Sequence, residues 1–393
     1  VKGIHDAVAI SNGPLGGHHC VILASGVVQC WGGNLSGESG IANVLDVPIA
    51  VTIAGISNAV SLSSSDSQVC TVTSDSSLYC WGDRGGIISQ LTDAASRFDD
   101  IAMPVAIPQA NGAIAVAANG DRICALIDNG QVRCSNPASL EQDTSFFDPV
   151  PTINDAVDIA VDSETSCAVL GDGSVKCWGS NPGGVLGNGT TSDTYTYTPV
   201  TVLGVSKAIK VSLSDDAGES KGCALLKSGS IQCWGTGYLG DGNLSEHATA
   251  VEVRGISNAV AVDGNCAVLK TGEVNCWGSN AAGRLGNDGF VVDAFIPVPV
   301  LGIGNAVALS SAKGKRCAVL SSGEVKCWGY GTTAIPSLVE DISAAVAVSA
   351  SNEGICLRMK NGQLQCLGNN WYGQLTLPSL SSGIRAPVLP ISQ

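Results

Sequence analysis

The chain has 393 residues, 45% apolar but only 5% aromatic, with 49 glycines and 16 cysteines. Its net charge of −14, from 20 Lys and Arg against 34 Asp and Glu, repels phosphate backbones and anionic lipid, which argues against nucleic acid as a partner. No run of 18 apolar residues suggests membrane insertion, and the opening at Val1 without a basic and then apolar leader reads as a mature product or an excised domain.

The chain repeats with a period of about 48 residues, the signature of a repeat architecture and not of two or three separate domains. Each unit opens on a short strand that begins with alanine. The first is Ala7-Val8-Ala9-Ile10, and the plan returns at Ala59, Ala113, Ala156, Ala208, Ala259, Ala306 and Ala345. Small residues on one face and branched ones on the other suit a strand near a propeller axis.

A polar loop follows. Across the units these loops carry Asp66, Asp121, Asp162, Glu164, Asp215, Asp216, Glu219, Asp263 and Glu353, diluted by Lys313, Lys315 and Arg316. No loop shows the alternating Asp/Asn ligand pattern of a calcium site, so a solvated polar rim is expected and no metal. His18 and His19 stand together on the first of these loops beside Gly16 and Gly17, an arrangement that supports neither metal binding nor catalysis.

Next comes a hairpin bounded by two cysteines ten positions apart. The pairs are Cys20 and Cys30, Cys70 and Cys80, Cys124 and Cys134, Cys167 and Cys177, Cys223 and Cys233, Cys266 and Cys276, Cys317 and Cys327, and Cys356 and Cys366. Placing Cys167 opposite Cys177 leaves a three-residue turn, Gly171-Asp172-Gly173, whose third position is normally left-handed. Gly26, Gly130, Gly173, Gly229, Gly272, Gly323 and Gly362 occupy that position, and only Ser76 departs. Opposed residues at a non-hydrogen-bonded site lie roughly 4.5 Å apart at Cα, within disulfide reach. One disulfide per repeat is therefore expected. Reduced thiols and metal ligation are the rival readings, but a facing pair offers a metal only two thiolates and no histidine at fixed spacing.

Trp31, Trp81, Trp178, Trp234, Trp277 and Trp328 each follow the second cysteine, where packing between blades is the expected role. A long glycine- and asparagine-rich segment comes next. It holds nearly all remaining aromatics: Phe98, Phe146, Phe147, Tyr195, Tyr197, Tyr238, Phe290, Phe295, Tyr330, Trp371 and Tyr372. These are the candidate ligand-binding residues, expected on one propeller side with the polar loops on the opposite side. Each unit ends on a short strand, proline-marked at Pro48, Pro104, Pro149, Pro199, Pro297 and Pro387, which a residue lacking a backbone donor assigns to the sheet edge. Four strands per unit describe a propeller blade. The fold expected is all-β, a single closed β-propeller over residues 1–393 with eight four-stranded blades, seven being the alternative. Both termini are expected at the closure, the strand near Val388 pairing with the first blade if a blade straddles the repeat.

The motif CAVL-x-x-G-x-V-x-CWG followed by G-x-N-x-x-G-x-LG, clearest from Cys167 to Gly187, Cys266 to Gly286 and Cys317 to Gly329, resembles the repeat of the regulator of chromosome condensation family. The segment from Leu367 to Leu375 shares it, while Ser135 and Leu367 stand where other units carry tryptophan. The resemblance covers the whole chain and implies a propeller, mostly seven-bladed in that family. Its founding member is a nuclear nucleotide-exchange factor, a role at odds with an acidic chain whose paired cysteines point to an oxidising compartment.

Three functions follow. The first is a secreted or surface-displayed recognition or adhesion module that binds a protein or glycan through loops on one face. The second is a secreted inhibitor of an extracellular enzyme, by similarity to the propeller-shaped β-lactamase inhibitor. The corresponding loops of that inhibitor carry aromatic contacts, whereas here the first loops carry none. Catalysis ranks last, because no nucleophile and base pair at known spacing. The expectation is thus no enzyme and no cofactor.

Overall fold

A computed structural model describes residues 1, 3–13, 17–41, 46–65, 67–82, 101–119, 122–135, 147–162, 164–216, 219–288, 292–312, 314–351 and 354–368. They form eight antiparallel sheets, seven of four strands and the last of three. In each, the strands lie side by side in chain order, from an inner strand to an outer one. The inner strands are Ala7–Asn12, Ala59–Ser64, Ala113–Asn119, Ala156–Val161, Ala208–Asp216, Ala259–Asp263, Ala306–Ser311 and Ala345–Ala350. The count is eight blades, not seven. The proline-marked segments are outermost wherever they are described, as in Ile101–Ala106, Ser192–Thr201 and Ala294–Pro299.

Every cysteine faces its partner across the hairpin, and all eight pairs form disulfides with Cα atoms 4.1 or 4.2 Å apart. In the first four blades Cys20 is bonded to Cys30, Cys70 to Cys80, Cys124 to Cys134 and Cys167 to Cys177. In the last four Cys223 is bonded to Cys233, Cys266 to Cys276, Cys317 to Cys327 and Cys356 to Cys366. The sixteen cysteines are thus staples within blades. Metal and free-thiol readings of them fall away. The framework is that of a chain matured in an oxidising compartment.

The hairpin turns also hold the blades to each other. The carbonyl of the third turn residue accepts the N–H of the alanine that opens the next blade, from Gly26 to Ala59, Ser76 to Ala113 and onward to Gly323 to Ala345. The eighth bond joins Gly362 to Ala7 at 2.8 Å and closes the ring. So close an approach requires glycine for space as well as for its positive φ. At Gly173, with φ +81°, a Cβ would collide with the Lys207 backbone. Gly173→Ala should therefore cost about 2–4 kcal/mol by urea unfolding. Ser76 already sits at φ 64°, so Ser76→Gly should cost nothing. Equal midpoints for wild type and Gly173→Ala would refute this account.

The tryptophans pack between blades as expected. Trp234 of the fifth blade lies among Cys167, Val169, Val175 and Cys177 of the fourth, and Trp31 of the first meets Cys356 and Leu364 of the eighth. Where the third blade has Ser135 in place of tryptophan, Phe147 stands directly opposite it and fills the junction with the second blade. Phe147 is only 1% exposed, so this candidate binding residue belongs to the core.

Two expectations need correction. A four-stranded meander reverses direction at every connection, so the first and third connections of each blade emerge at the same end. The polar loops and the aromatic-rich segments therefore share one face, here called upper, and do not oppose each other. Nor does a blade straddle the repeat: the first blade fills its own outer position with Asp46–Thr52. Its seam with the eighth is closed by the N-terminal arm, where the Val1 amino group donates to the Leu364 carbonyl at 2.5 Å and Ile4 is buried. The segment around Val388 lies outside the described residues.

Candidate functional site

On the upper face only Tyr238 and Tyr330 of the described candidate aromatics come from third connections; Tyr195, Tyr197 and Phe295, expected before the outer strand, lie on it. Tyr195 and Tyr197 belong to one outer strand and their ring centroids are 4.6 Å apart. The Arg122 guanidinium, at the start of the third blade's second strand, lies 5.5 Å from the Tyr195 ring. Tyr238 and Phe295, from adjacent blades, meet at 5.5 Å, and the Tyr238 hydroxyl donates to Asp293. That bond, followed by burial and the nearby carboxylates, pushes the phenol up to about 12. Tyr197, Phe295 and Tyr330 are 48%, 40% and 60% exposed, which leaves rings available to a ligand. Phe98, Phe146, Phe290, Trp371 and Tyr372 lie outside the described residues, as do Asp66, Asp121, Lys313 and Glu353 of the rim.

The same face opens over the sixth blade, with its two neighbours as walls, into a cavity of about 240 Å³, lined in part by Glu219, Tyr238, Asn265, Trp277, Arg284 and Arg316. Its origin is local. In the first, fourth and sixth blades a segment of fixed length arches over the next blade's tryptophan, whose indole N–H donates to a carbonyl of the arch. Trp81 donates to Glu38, Trp234 to Val185 and Trp328 to Arg284, at 2.9, 2.7 and 3.0 Å. The arch is braced by an asparagine side chain that accepts a backbone N–H: Asn34 from Ser39, Asn181 from Leu186, Asn280 from Leu285. In those arches the braced residue comes eight positions after the blade's own tryptophan. In the fifth blade Leu239 comes only five after Trp234, and the asparagine is among the three residues missing. Beneath the shortened arch, Trp277 Nε1 and Asn265 Oδ1 have no partner among the described residues. The sequence named Tyr238 as a candidate and Glu219 and Arg316 as rim residues, but did not bring them together with Asn265 and Trp277; the shorter spacing is the signal that could have done so.

A second concavity, about 500 Å³, is the axial channel, lined by small residues with Lys210 and Asp263 among them. Burial raises the carboxyls of Asp263 and Asp158. Each already accepts a backbone N–H from the next blade, Ser311 at 2.7 Å and Val211 at 2.9 Å. Ser11, Ser63 and Ser310 do the same for Ser64, Ala118 and Ala350. These carboxylates thus belong to a belt of bonds between inner strands. At the lower mouth the second residue of the inner strand is exposed in most blades, including Val60, Val157 and Val307.

His18 and His19 lie on a strand, His18–Leu23, and not on a loop. Both are buried at 1% and 2% exposure. Burial lowers His18 to about 4, and burial with the charge of His18 lowers His19 to about 3. His19 Nδ1 meets Asn12 Oδ1 at 2.8 Å, and Asn12 Nδ2 donates to the Ser349 carbonyl across the seam between the first and eighth blades. Among the described residues no cluster of three His, Cys, Asp or Glu could hold a metal, and no helix is long and apolar enough to cross a membrane.

No protein-family model matches the chain, and no curated protein matches it in sequence. Solved structures do match in fold. Human WBSCR16 is 15% identical with a TM-score of 0.65, over 85% of this chain and all of that one. Prp20p from Saccharomyces cerevisiae, described with its binding to Gsp1p and histones, is 16% identical with a TM-score of 0.59, over 81% and 87%. Yeast RCC1 (Prp20) bound to Kap60 is 17% identical with a TM-score of 0.61, over 90% and 93%. The fold is the RCC1-like propeller that the repeat resembles.

Proposed function

We propose that residues 1–393 form one secreted or surface-displayed recognition module, an adhesion head that binds a protein or glycan through the upper face. The observation that carries this reading is the convergence on that face of exposed aromatic rings and charged loops, held by a disulfide-stapled ring. Protein partners of Prp20p, namely Gsp1p, histones and Kap60, support a protein ligand for a scaffold of this shape. Eight disulfides support an extracellular setting. Replacing Tyr197, Phe295 and Tyr330 together with serine should weaken binding to whole cells or to a protein and glycan array at least tenfold, with unchanged thermal unfolding. Undiminished binding by that variant would remove the aromatic face from the account.

Inhibition of an extracellular enzyme is the second reading. The first loops carry no aromatic contacts, but the aromatic segments reach the same face, so an inhibitory surface there has the rings it needs. Titration against purified extracellular hydrolases separates the two readings, stoichiometric inhibition favouring the second.

A further inference from the structure

The lower face carries two patterns that have no part in binding at the upper one. The first is apolar. In all eight blades the register of the inner strand slips at its second residue, between Ala7 and Ala9 in the first blade and between Ala345 and Ala347 in the eighth. A bulge re-aims the side chain it carries, and that side chain is valine in six blades and isoleucine, Ile114 and Ile209, in the other two. From Val8 to Val307 these residues are 49% to 60% exposed, and Val346 is partly exposed. The backbone of every blade thus holds a branched apolar group out to solvent around the lower mouth. Such a ring marks an interaction surface, as scattered single apolar residues do not.

The second pattern is charge. Three positions per blade surround the ring: the residue before the opening alanine and the first two of the hairpin turn. The first turn residue donates its N–H to the carbonyl of the former, as from Gly171 to Asp155 and from Lys227 to Lys207, both at 2.9 Å. In the first four blades these positions hold five acids, Asp6, Asp75, Asp128, Asp155 and Asp172, and no base. In the last four they hold four bases, Lys207, Lys227, Lys270 and Lys360, and no acid. All nine are exposed. Outside this ring the signs are mixed, with Glu273, Glu324 and Asp341 on the basic side and Arg133 and Lys176 on the acidic one.

This arrangement is complementary to itself. Two discs set face to face about a two-fold axis in the plane of contact run their blades in opposite senses. With the axis between the fourth and fifth blades, the first blade lies over the eighth of the other copy, the third over the sixth and the fourth over the fifth. Asp6 then meets Lys360, Asp128 meets Lys270, and Asp155 with Asp172 meets Lys207 with Lys227, each pairing occurring twice. Asp75 meets the uncharged turn Ser321-Ser322. Turning the axis by a quarter circle would set acid on acid, so charge selects the register. A stable interface takes about 20–30 residues a side, a number that four positions in each of eight blades supply.

We propose that the lower face is a homodimer interface between two copies of this chain, apolar ring on apolar ring and acidic arc on basic arc. The dimer points its two upper faces in opposite directions, so one assembly can bridge two ligands. The interface does not depend on what the upper face binds.

The test is the mass of the intact, oxidised protein by sedimentation equilibrium at about 0.1 M salt, where charges in contact still act on each other. Wild type should be a dimer. Reversing the basic arc with Lys207→Glu, Lys227→Glu and Lys270→Glu should weaken self-association at least tenfold, and so should reversing the acidic arc with Asp128→Lys, Asp155→Lys and Asp172→Lys. Mixed in equal amounts, the two variants should recover a one-to-one heterodimer, because a mainly acidic ring then faces a mainly basic one. A folding defect cannot produce that recovery. Val157→Ser together with Val260→Ser and Val307→Ser should also weaken the dimer at least tenfold, with circular dichroism unchanged. A wild type that stays monomeric at about 0.1 mM, whether free or with its ring covered by another protein, overturns the proposal. So do charge-reversed variants that dimerise as wild type does, or a mixture of them that stays monomeric.

Discussion

Refolding under reducing conditions should leave this chain unfolded at 25 °C. Each disulfide closes a loop of about ten residues, and removing one costs about 3 kcal/mol in the chain-entropy account. A domain's net stability is about 5–15 kcal/mol, so eight such losses together exceed it. The small inner faces explain the dependence. Strands of alanine and serine bury little apolar area each, and the large buried groups are mainly the tryptophans at the blade junctions. All the cysteines except Cys366 are buried, so a reductant added to the folded protein acts slowly and the experiment starts from denatured chain. Circular dichroism and thiol titration give the result. The oxidised protein should show almost no free thiol in denaturant, and the reduced one no cooperative unfolding. Titration of about 16 thiols without reductant, or the same unfolding midpoint with and without it, would contradict the framework.

Acidification should loosen the seam between the first and eighth blades. His18 and His19 are neutral in the fold, lowered to about 4 and about 3, whereas in the unfolded chain they protonate near 6.5. Below pH 6.5 the unfolded chain therefore takes up protons that the fold refuses. The stabilisation is fully present above pH 6.5, declines as pH falls, and levels off only below the folded values. For His18 alone the loss by pH 4 is about 3 kcal/mol. A charge on His19 would also stand in the interior against the Trp31 ring, beside the Asn12 bridge to Ser349. Urea midpoints from pH 7.5 to 4.5 should fall steeply for wild type and much less for a His18→Gln, His19→Gln double variant. Parallel pH profiles for the two proteins would exclude the histidines as the cause.

How much of this could be read before the fold was known depends on the range of the interactions involved. The hairpin register, the turn glycines and the cysteine pairing rest on residues within ten positions of each other, so the pattern carries them directly. Repetition then supplies blade number and order. Phe147 shows where such reading stops. As an aromatic in a variable segment it resembles a binding residue, but it stands opposite Ser135 and occupies the volume that tryptophan fills elsewhere. Its role depends on a substitution twelve positions earlier and on the neighbouring blade. His18 and His19 likewise look like loop residues until the strand His18–Leu23 carries them into the interior.

By itself the sequence determined the unit: an alanine-led inner strand and a stapled hairpin eight times over, with a tryptophan after the hairpin in six of them and an edge strand marked by proline in most. Only the tertiary structure decided what the units make together. It put the polar loops and aromatic segments on one face, because two reversals of direction separate them. It closed the ring through Ala7 and Gly362, and left a recess over Trp277 where the preceding blade's arch is three residues short. A hairpin is specified by its own backbone, but a face, a seam or a cavity is specified by which neighbour arrives beside it.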